Sequence, residues 1–513
     1  MPASLARLVA LIVSAYALAG APGAGAAQAA PAPNLDWQAC DGGFECATAK
    51  VPLDHSRPQG RTALALTAGH AAAAPLVTND HRTLVVNGGD GDDRLALRVR
   101  PSDPKAVEID LGDDGTADVV VKRTTFDAIR VQTGAGDDTL RLAFAREVPT
   151  TVEGGRGVDY LTVEGSSADD RFELSAKSTR VRVGGDASVT FGGVESFEAD
   201  PLGGADRLTV GDLTGTELQD AHADLGGDGL LDRVVLDGTA GDDQPSILAF
   251  AGVAVIGVPT FVTIENADPT DRLTVNGRGG DDLLSSSSLP RGAMDVTLDG
   301  GTGTDVLVGG DGDETLLGGP DFDDVEGRKG DDVALLGADS DRFIWRAGDG
   351  NDKVDGQGGH DVLFFFGSND AETLDLAAYG RSLGLTRDVD DVTMDLDRVE
   401  EINPVVFGGA DTVAVGDLRR TSAEQVNVNL EPALGSPGGD GQADRVLATG
   451  TDGDDTIAVA GANGAVTVSG LAATVGITHA EGALDSLAIA TLGGADTVDT
   501  SGLAPDTIAV TTD

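Results

Sequence analysis

Residues 300–335 set the pattern of the chain. They read GGTGTDVLV, GGDGDETLL, GGPDFDDVE and GRKGDDVAL, four nine-residue units in unbroken register from Gly300, Gly309, Gly318 and Gly327. The eighth position is apolar in each: Leu307, Leu316, Val325 and Ala334. The last three residues of a unit therefore read as a very short strand with one buried side chain. A break follows, and the register returns at Ala347 (AGDGNDKVD) and Gly356 (GQGGHDVLF). Elsewhere the texture persists as short alternating segments, such as AVEIDL, DVVVKR, GVAVIGV, AVTVSG and LAIA, punctuated by Gly-Asp turns. No helical period stands out after residue 30. The expected fold is all-β: a parallel β-roll or β-helix solenoid of short strands and Gly-Asp turns, each strand pairing with those above and below it.

One unit can be read physically. Glycines allow positive φ and close backbone approach, so six residues can make a tight turn. An acidic residue ends that turn at the sixth position: Asp305, Glu314, Asp323 and Asp332. Turns stacked about 4.8 Å apart bring carboxylates and backbone carbonyls of neighbouring coils together. Such a cage is all hard oxygen, which suits Ca²⁺ rather than zinc or copper.

A longer repeat lies over the short one. GGADRLTVGDL (203–213) recurs as GGADTVAVGDL (408–418), identical at eight of eleven positions. GGDGLLDRVVLDGTAGDD (226–243) recurs as GGDGQADRVLATGTDGDD (438–455), identical at twelve of eighteen. HDVLFFFGSNDAETLDL (360–376) answers VDYLTVEGSSADDRFEL (158–174). The two halves should share one architecture, with the nonapeptide block between them. Asp513 aligns with Asp299, after which the first half runs straight into that block. The expectation is that another subunit covers this end, that the last coil frays, or that the product is truncated.

The units resemble the RTX calcium-binding nonapeptide, GGxGxDxUx with U a large apolar residue. The resemblance implies a β-roll with two units per coil and Ca²⁺ held between turns one coil apart. Asp305 would then pair with the turn of Asp323, and Glu314 with that of Asp332. The implied metal residues are Gly300, Gly301, Gly303 and Asp305; Gly309, Gly310, Asp311, Gly312 and Glu314; and Asp323, Asp332, Asp349, Asp352 and Asp361. The block departs from the family pattern where Glu314 replaces Asp, Pro320-Asp321 replaces x-Gly, and Arg328-Lys329 places two cations in a turn. Looser turns recur without consecutive register. Those of Asp93 (GGDGDD) and Asp455 (GTDGDD) are the best formed, and they fit Ca²⁺ binding or simple turn capping.

Charge sharpens this picture. The 513 residues carry 86 acidic and 35 basic side chains, a formal net charge of −51. Nucleic acid and anionic membranes are poor partners for such a chain. Residues 1–30 read as a secretory signal peptide, and no later stretch is apolar enough to cross a membrane. Residues 31–79 form a separate Cys-containing segment and linker. An exported chain with Cys40 and Cys46 so close reads as one disulfide. Residues 34–68 resemble the mature N-terminus of secreted tripeptidyl aminopeptidases of the α/β-hydrolase superfamily, through Trp37, Cys40, Glu45-Cys46-Ala47-Thr48, Val51-Pro52-Leu53-Asp54 and Ser56-Arg57-Pro58. The G-x-S-x-G elbow that such hydrolases need occurs nowhere in the chain. The remainder divides into looser repeats at 80–298, the nonapeptide roll at 299–366, and looser repeats at 367–513. The expected function is a secreted, non-enzymatic Ca²⁺-binding solenoid with a structural or interaction role. A secreted peptidase or polysaccharide-cleaving enzyme and a cell-surface adhesin are the alternatives, with the extracellular or envelope partner unnamed.

Overall fold

The computed structural model describes residues 76–513 except 101, 144–147, 178, 186–187, 251 and 513, together with the backbone of three earlier strands. The leader and the side chains of the aminopeptidase-like segment lie outside the described residues. Contacts divide the chain into two units, Met1–Ala72 and Ala73–Asp513. In the first, Gln38–Cys40, Phe44–Pro52 and Thr62–His70 form an antiparallel sheet in that order. Its register sets Cys40 opposite Phe44 and Cys46 opposite Gln38. The cysteine side chains, and so the disulfide, lie outside what is described.

The second unit is a roll of two long facing sheets between which the chain shuttles. In the nonapeptide block, successive strands alternate between sheets. Val306–Val308, Asp324–Glu326, Arg342–Arg346 and Val362–Phe366 stack in one sheet. Thr315–Pro320, Val333–Ala338 and Lys353–Gly358 stack in the other. Leu307 faces Val325 and Leu316 faces Ala334, so one coil is two nine-residue units. Each short strand sends one apolar side chain inward, and Leu307, Leu316, Val325, Ala334, Phe343 and Leu363 are all fully buried. Each such burial contributes about 1.5–3 kcal/mol for a large aliphatic or aromatic side chain.

The break after residue 335 is not there. The next unit begins at Leu336 in the same register (LGADSDRFI), with leucine where glycine was expected, and Phe343 takes the eighth position. Only Trp345 and Arg346 are extra before Ala347. Trp345 points into the roll and stacks on Phe365 with ring centroids 4.1 Å apart and planes 1° from parallel.

The sheets are mixed rather than purely parallel: among the described residues, besides an antiparallel meander of Arg94–Arg100, Asp103–Leu111 and Val119–Lys122 in one sheet, four more interrupt the roll. Coming from Tyr160–Ser166, the chain enters the opposite sheet at Arg171–Lys177, leaving a gap of two strands beyond the last one laid down there. It returns through Arg180–Gly185 and Val189–Gly192, which closes the gap against Thr150–Arg156. The next coil, Arg207–Val210, then pairs with Arg171–Lys177. Backfilling leaves no unpaired strand edge inside the ladder. A second meander, Ser246–Ala249, Val253–Ile256 and Phe261–Glu265, does the same in the other sheet. The second half repeats both, at residues 373–397 and 456–478. Beyond the meander at residues 94–122, each half thus adds one meander to each sheet. The ladders run on from the looser repeats through the nonapeptide block into the second half, within one compact unit.

Candidate metal centre

The sixth-position carboxylates form one ladder along each turn edge of the roll. The backbone N–H of Asp282 donates to Asp305 Oδ1 at 2.8 Å, Asp305 N–H to Asp323 Oδ1 at 2.9 Å, Asp323 N–H to Asp341 Oδ1 at 2.8 Å, and Asp341 N–H to Asp361 Oδ1 at 2.9 Å. On the other edge Glu314 N–H donates to Asp332 Oδ1 at 2.7 Å and Asp332 N–H to Asp352 Oδ1 at 3.0 Å. The expected pairs, Asp305 with Asp323 and Glu314 with Asp332, are thus joined turn to turn. Asp341 was hidden in the supposed break and sits in the middle of its ladder, fully buried.

The second oxygen of these carboxylates has no such partner. Among the described residues eleven aspartates, including Asp305, Asp323, Asp332, Asp341, Asp352 and Asp361, keep a buried Oδ2 without a hydrogen bond. One such oxygen costs about 1–3 kcal/mol, so eleven in one fold call for a positively charged ligand or a proton. The orphaned oxygens face backbone carbonyls. A Cβ placed on Gly318 would stand 2.6 Å from Asp323 Oδ2 and crowd the Leu336 carbonyl. A Cβ on Gly300 would crowd Asp305 Oδ2 and stand 2.8 Å from the Gly318 carbonyl. The first-position glycine is therefore required because oxygens converge where its side chain would be. This donor set, one carboxylate oxygen with turn carbonyls, fits Ca²⁺, which takes about 6–8 oxygens. Among the described residues no three His, Cys, Asp or Glu side chains gather into a metal-holding group. The candidate donors are spread one carboxylate per coil.

The protonation of the ladder follows from this geometry. Burial, the largest cause, raises the carboxyls of Asp305 and Asp361 to about 6, those of Asp323, Asp341 and Asp352 to about 7, and that of Asp332 to about 9. The inter-coil N–H bonds pull the other way without cancelling burial.

Other expected residues lie differently. Glu314 is buried, but it folds back onto its own turn, where Gly310 N–H donates to Oε2 at 2.6 Å. Gly309 and Gly312 pack closely against the next coil at Gly327 and Gly330, while Gly301 and Gly303 hold φ of 97° and 122°. Asp311 is drawn outward into an ion pair with Lys329 at 3.2 Å. Asp349 accepts the Arg346 N–H at 2.7 Å and stays out of the ladder. Asp93 and Asp455 cap their own turns, accepting the N–H groups of Gly89 and Thr451 through Oδ2. They also donate onward to Asp138 and Asp496.

A second, opposite string of hydrogen bonds runs through the exposed fifth position. Asp137 N–H donates back to Asp92 Oδ1 at 2.9 Å, Asp281 N–H to Asp242 at 3.0 Å, and Asp331 N–H to Asp313 at 2.9 Å. Sixth-position carboxylates thus receive from the coil before and fifth-position ones from the coil after. The recurrent Asp-Asp doublet in GDGDD, GAGDD, GRGGDD and GRKGDD was the available signal for this string.

Compared with protein-family models the sequence matches none, and compared with curated proteins it matches none.

Proposed function

We propose that this chain is an exported, Ca²⁺-dependent β-roll of the RTX type with a structural or interaction role and no catalysis of its own. The observation that carries this reading is the row of buried, unpartnered aspartate oxygens facing turn carbonyls of neighbouring coils. In this reading Asp305, Asp323, Asp341 and Asp361 on one edge, and Asp332 and Asp352 on the other, hold Ca²⁺ with carbonyls of the adjoining turns. The ion supplies the positive charge that the buried carboxylates lack, and it offsets part of the −51 net charge.

Export gives the coupling its use. Sites absent from the unfolded chain turn binding energy into folding energy. Extracellular Ca²⁺ modules bind at about 10⁻⁴–10⁻³ M, so the chain would remain open where Ca²⁺ is scarce and close outside the cell. The leader-like residues 1–30 support that route, and among the described residues no helix is long and apolar enough to cross a membrane. Circular dichroism at low ionic strength, with and without chelator, tests the coupling. The β signal should fall on Ca²⁺ removal and return on its addition, and an unchanged spectrum would refute Ca²⁺-coupled folding.

A further inference from the structure

One turn of the ladder differs from the rest in carrying a cation of its own. Arg387 ends Ser382–Arg387, the middle strand of the 373–397 meander, and its side chain is buried inside the roll. It is the only basic side chain buried among the described residues. Its Nη2 donates to Glu372 Oε1 at 2.5 Å and to Ser368 Oγ at 3.1 Å. Its Nη1 donates to the Val389 carbonyl at 3.0 Å and to Asp390 Oδ2 at 3.2 Å. Both side chains of the Arg387–Glu372 pair are fully shielded from solvent. Glu372 Oε2, like the orphaned aspartate oxygens, has no hydrogen bond, so what sets this turn apart is the charge beside the carboxylate. The guanidinium also faces the Trp345 ring, 5.8 Å from its centroid.

Glu372 occupies the sixth-position place on its edge, since its N–H donates to Asp411 Oδ1 at 2.8 Å as each ladder member donates to the next. The first half provides an internal comparison. Ser166 and Asp170 align with Ser368 and Glu372, and Ser166 N–H binds the Asp170 carboxylate as Ser368 N–H binds that of Glu372. The residue paired with Phe172 there is Gly185, whereas the residue paired with the corresponding Leu374 is Arg387. At the strand position that carries Arg387 in the second half, the first half thus carries a glycine.

A guanidinium keeps its charge at any pH a protein survives. Here it engages a carboxylate, a hydroxyl and a carbonyl, the kinds of oxygen that a hard cation would take in the other turns. A divalent ion brought beside it would meet strong repulsion in a site closed to water. We infer that Arg387 is the built-in counter-cation of Glu372, so that this turn takes no Ca²⁺ and the 373–397 meander holds together without the ion, whereas the coils of residues 300–335 do not. The inference rests on the Ca²⁺ reading of the other turns.

Hydrogen–deuterium exchange on the full chain in chelator and in Ca²⁺ tests it. The expected result in chelator is loss of protection by at least about tenfold at 305–334, with protection retained at 373–397. Loss at both regions would overturn the role of Arg387 while leaving the Ca²⁺ reading intact. Protection at both would overturn the Ca²⁺ reading, and two variants then decide the inference. R387M should strip protection from 373–397 in chelator, and the charge-free double variant E372Q/R387M should restore it. An R387M chain as protected in chelator as the parent would refute the pairing.

Discussion

The N–H of Asp305 donates to the carboxylate of Asp323, one coil and 18 residues further on, at 2.9 Å, while the other oxygen of Asp323 is buried without a partner. One side chain thereby does two things. Through Oδ1 it fixes the spacing of adjacent turns, and through Oδ2 it leaves a charge that only a proton or a cation can balance.

Asp323→Asn should therefore change sign with conditions. The amide oxygen can still accept the Asp305 N–H, but the charge is gone. In chelator the variant relieves part of the about 1–3 kcal/mol that an unpaired buried polar group costs, and its urea midpoint should rise. In excess Ca²⁺ it loses a ligand, and a site held at about 100 times its Kd is worth roughly 2.7 kcal/mol, so the midpoint should fall. Paired urea titrations in the two buffers check both signs.

The pH dependence of the chelated protein follows from the same carboxyls. Burial raises those of Asp305 and Asp361 to about 6 and those of Asp323, Asp341 and Asp411 to about 7, from 3.8. The folded state then binds more protons than the unfolded state between these values. The contribution to stability is full below about pH 4 and is lost as pH rises through 6 to 7. Without Ca²⁺ the thermal midpoint should fall by several degrees from pH 5 to pH 8. With saturating Ca²⁺ the fall should shrink, because the ion binds the deprotonated form that high pH favours. Thermal scans across pH in the two buffers check this.

Gly303, at the fourth position of its unit, is doubly constrained. It holds φ at 122°, and a Cβ there would collide with the Gly280 carbonyl one coil below. Gly348, at the second position of its unit, holds φ at 101° with nothing near its missing Cβ. Gly348→Ala should cost about 1–2 kcal/mol from backbone strain alone. Gly303→Ala adds the collision and should cost more than about 3 kcal/mol. Urea midpoints in Ca²⁺ should rank the parent above G348A and G348A above G303A.

Trp345 reports closure of the roll. The chain has two tryptophans, so a Trp37→Phe background isolates it. Its emission should be blue-shifted in Ca²⁺, where it is buried against Phe365. Trp345→Ala should cost about 3–5 kcal/mol, in the range for removing a packed aromatic side chain.

Much of this was legible in the sequence, because the fold is local repetition. The apolar eighth position placed the short strands, and the two-unit coil that pairs Leu307 with Val325 was what the resemblance to the nonapeptide family implied. The internal duplication anticipated the matched halves. The meanders were not legible, since alternation such as that in Val253–Ile256 is the same whether a strand runs parallel or antiparallel. The unit at Leu336 escaped because it lacks the opening glycine, although its Asp341 keeps the spacing. Within the site, the sixth-position aspartates were visible as a motif. The folding-back of Glu314, the pairing of Asp311 with Lys329 and the approach of Arg387 to Glu372 depend on side-chain length and on strands far apart in sequence, which the motif does not encode.

Isothermal titration of the purified, chelator-treated chain with Ca²⁺, with Mg²⁺ as control, tests the central claim most directly. The account predicts several Ca²⁺ sites with Kd between about 10⁻⁶ and 10⁻³ M, with no matching heat from Mg²⁺. An absence of Ca²⁺ heat from a chain whose β-structure is already formed would contradict it.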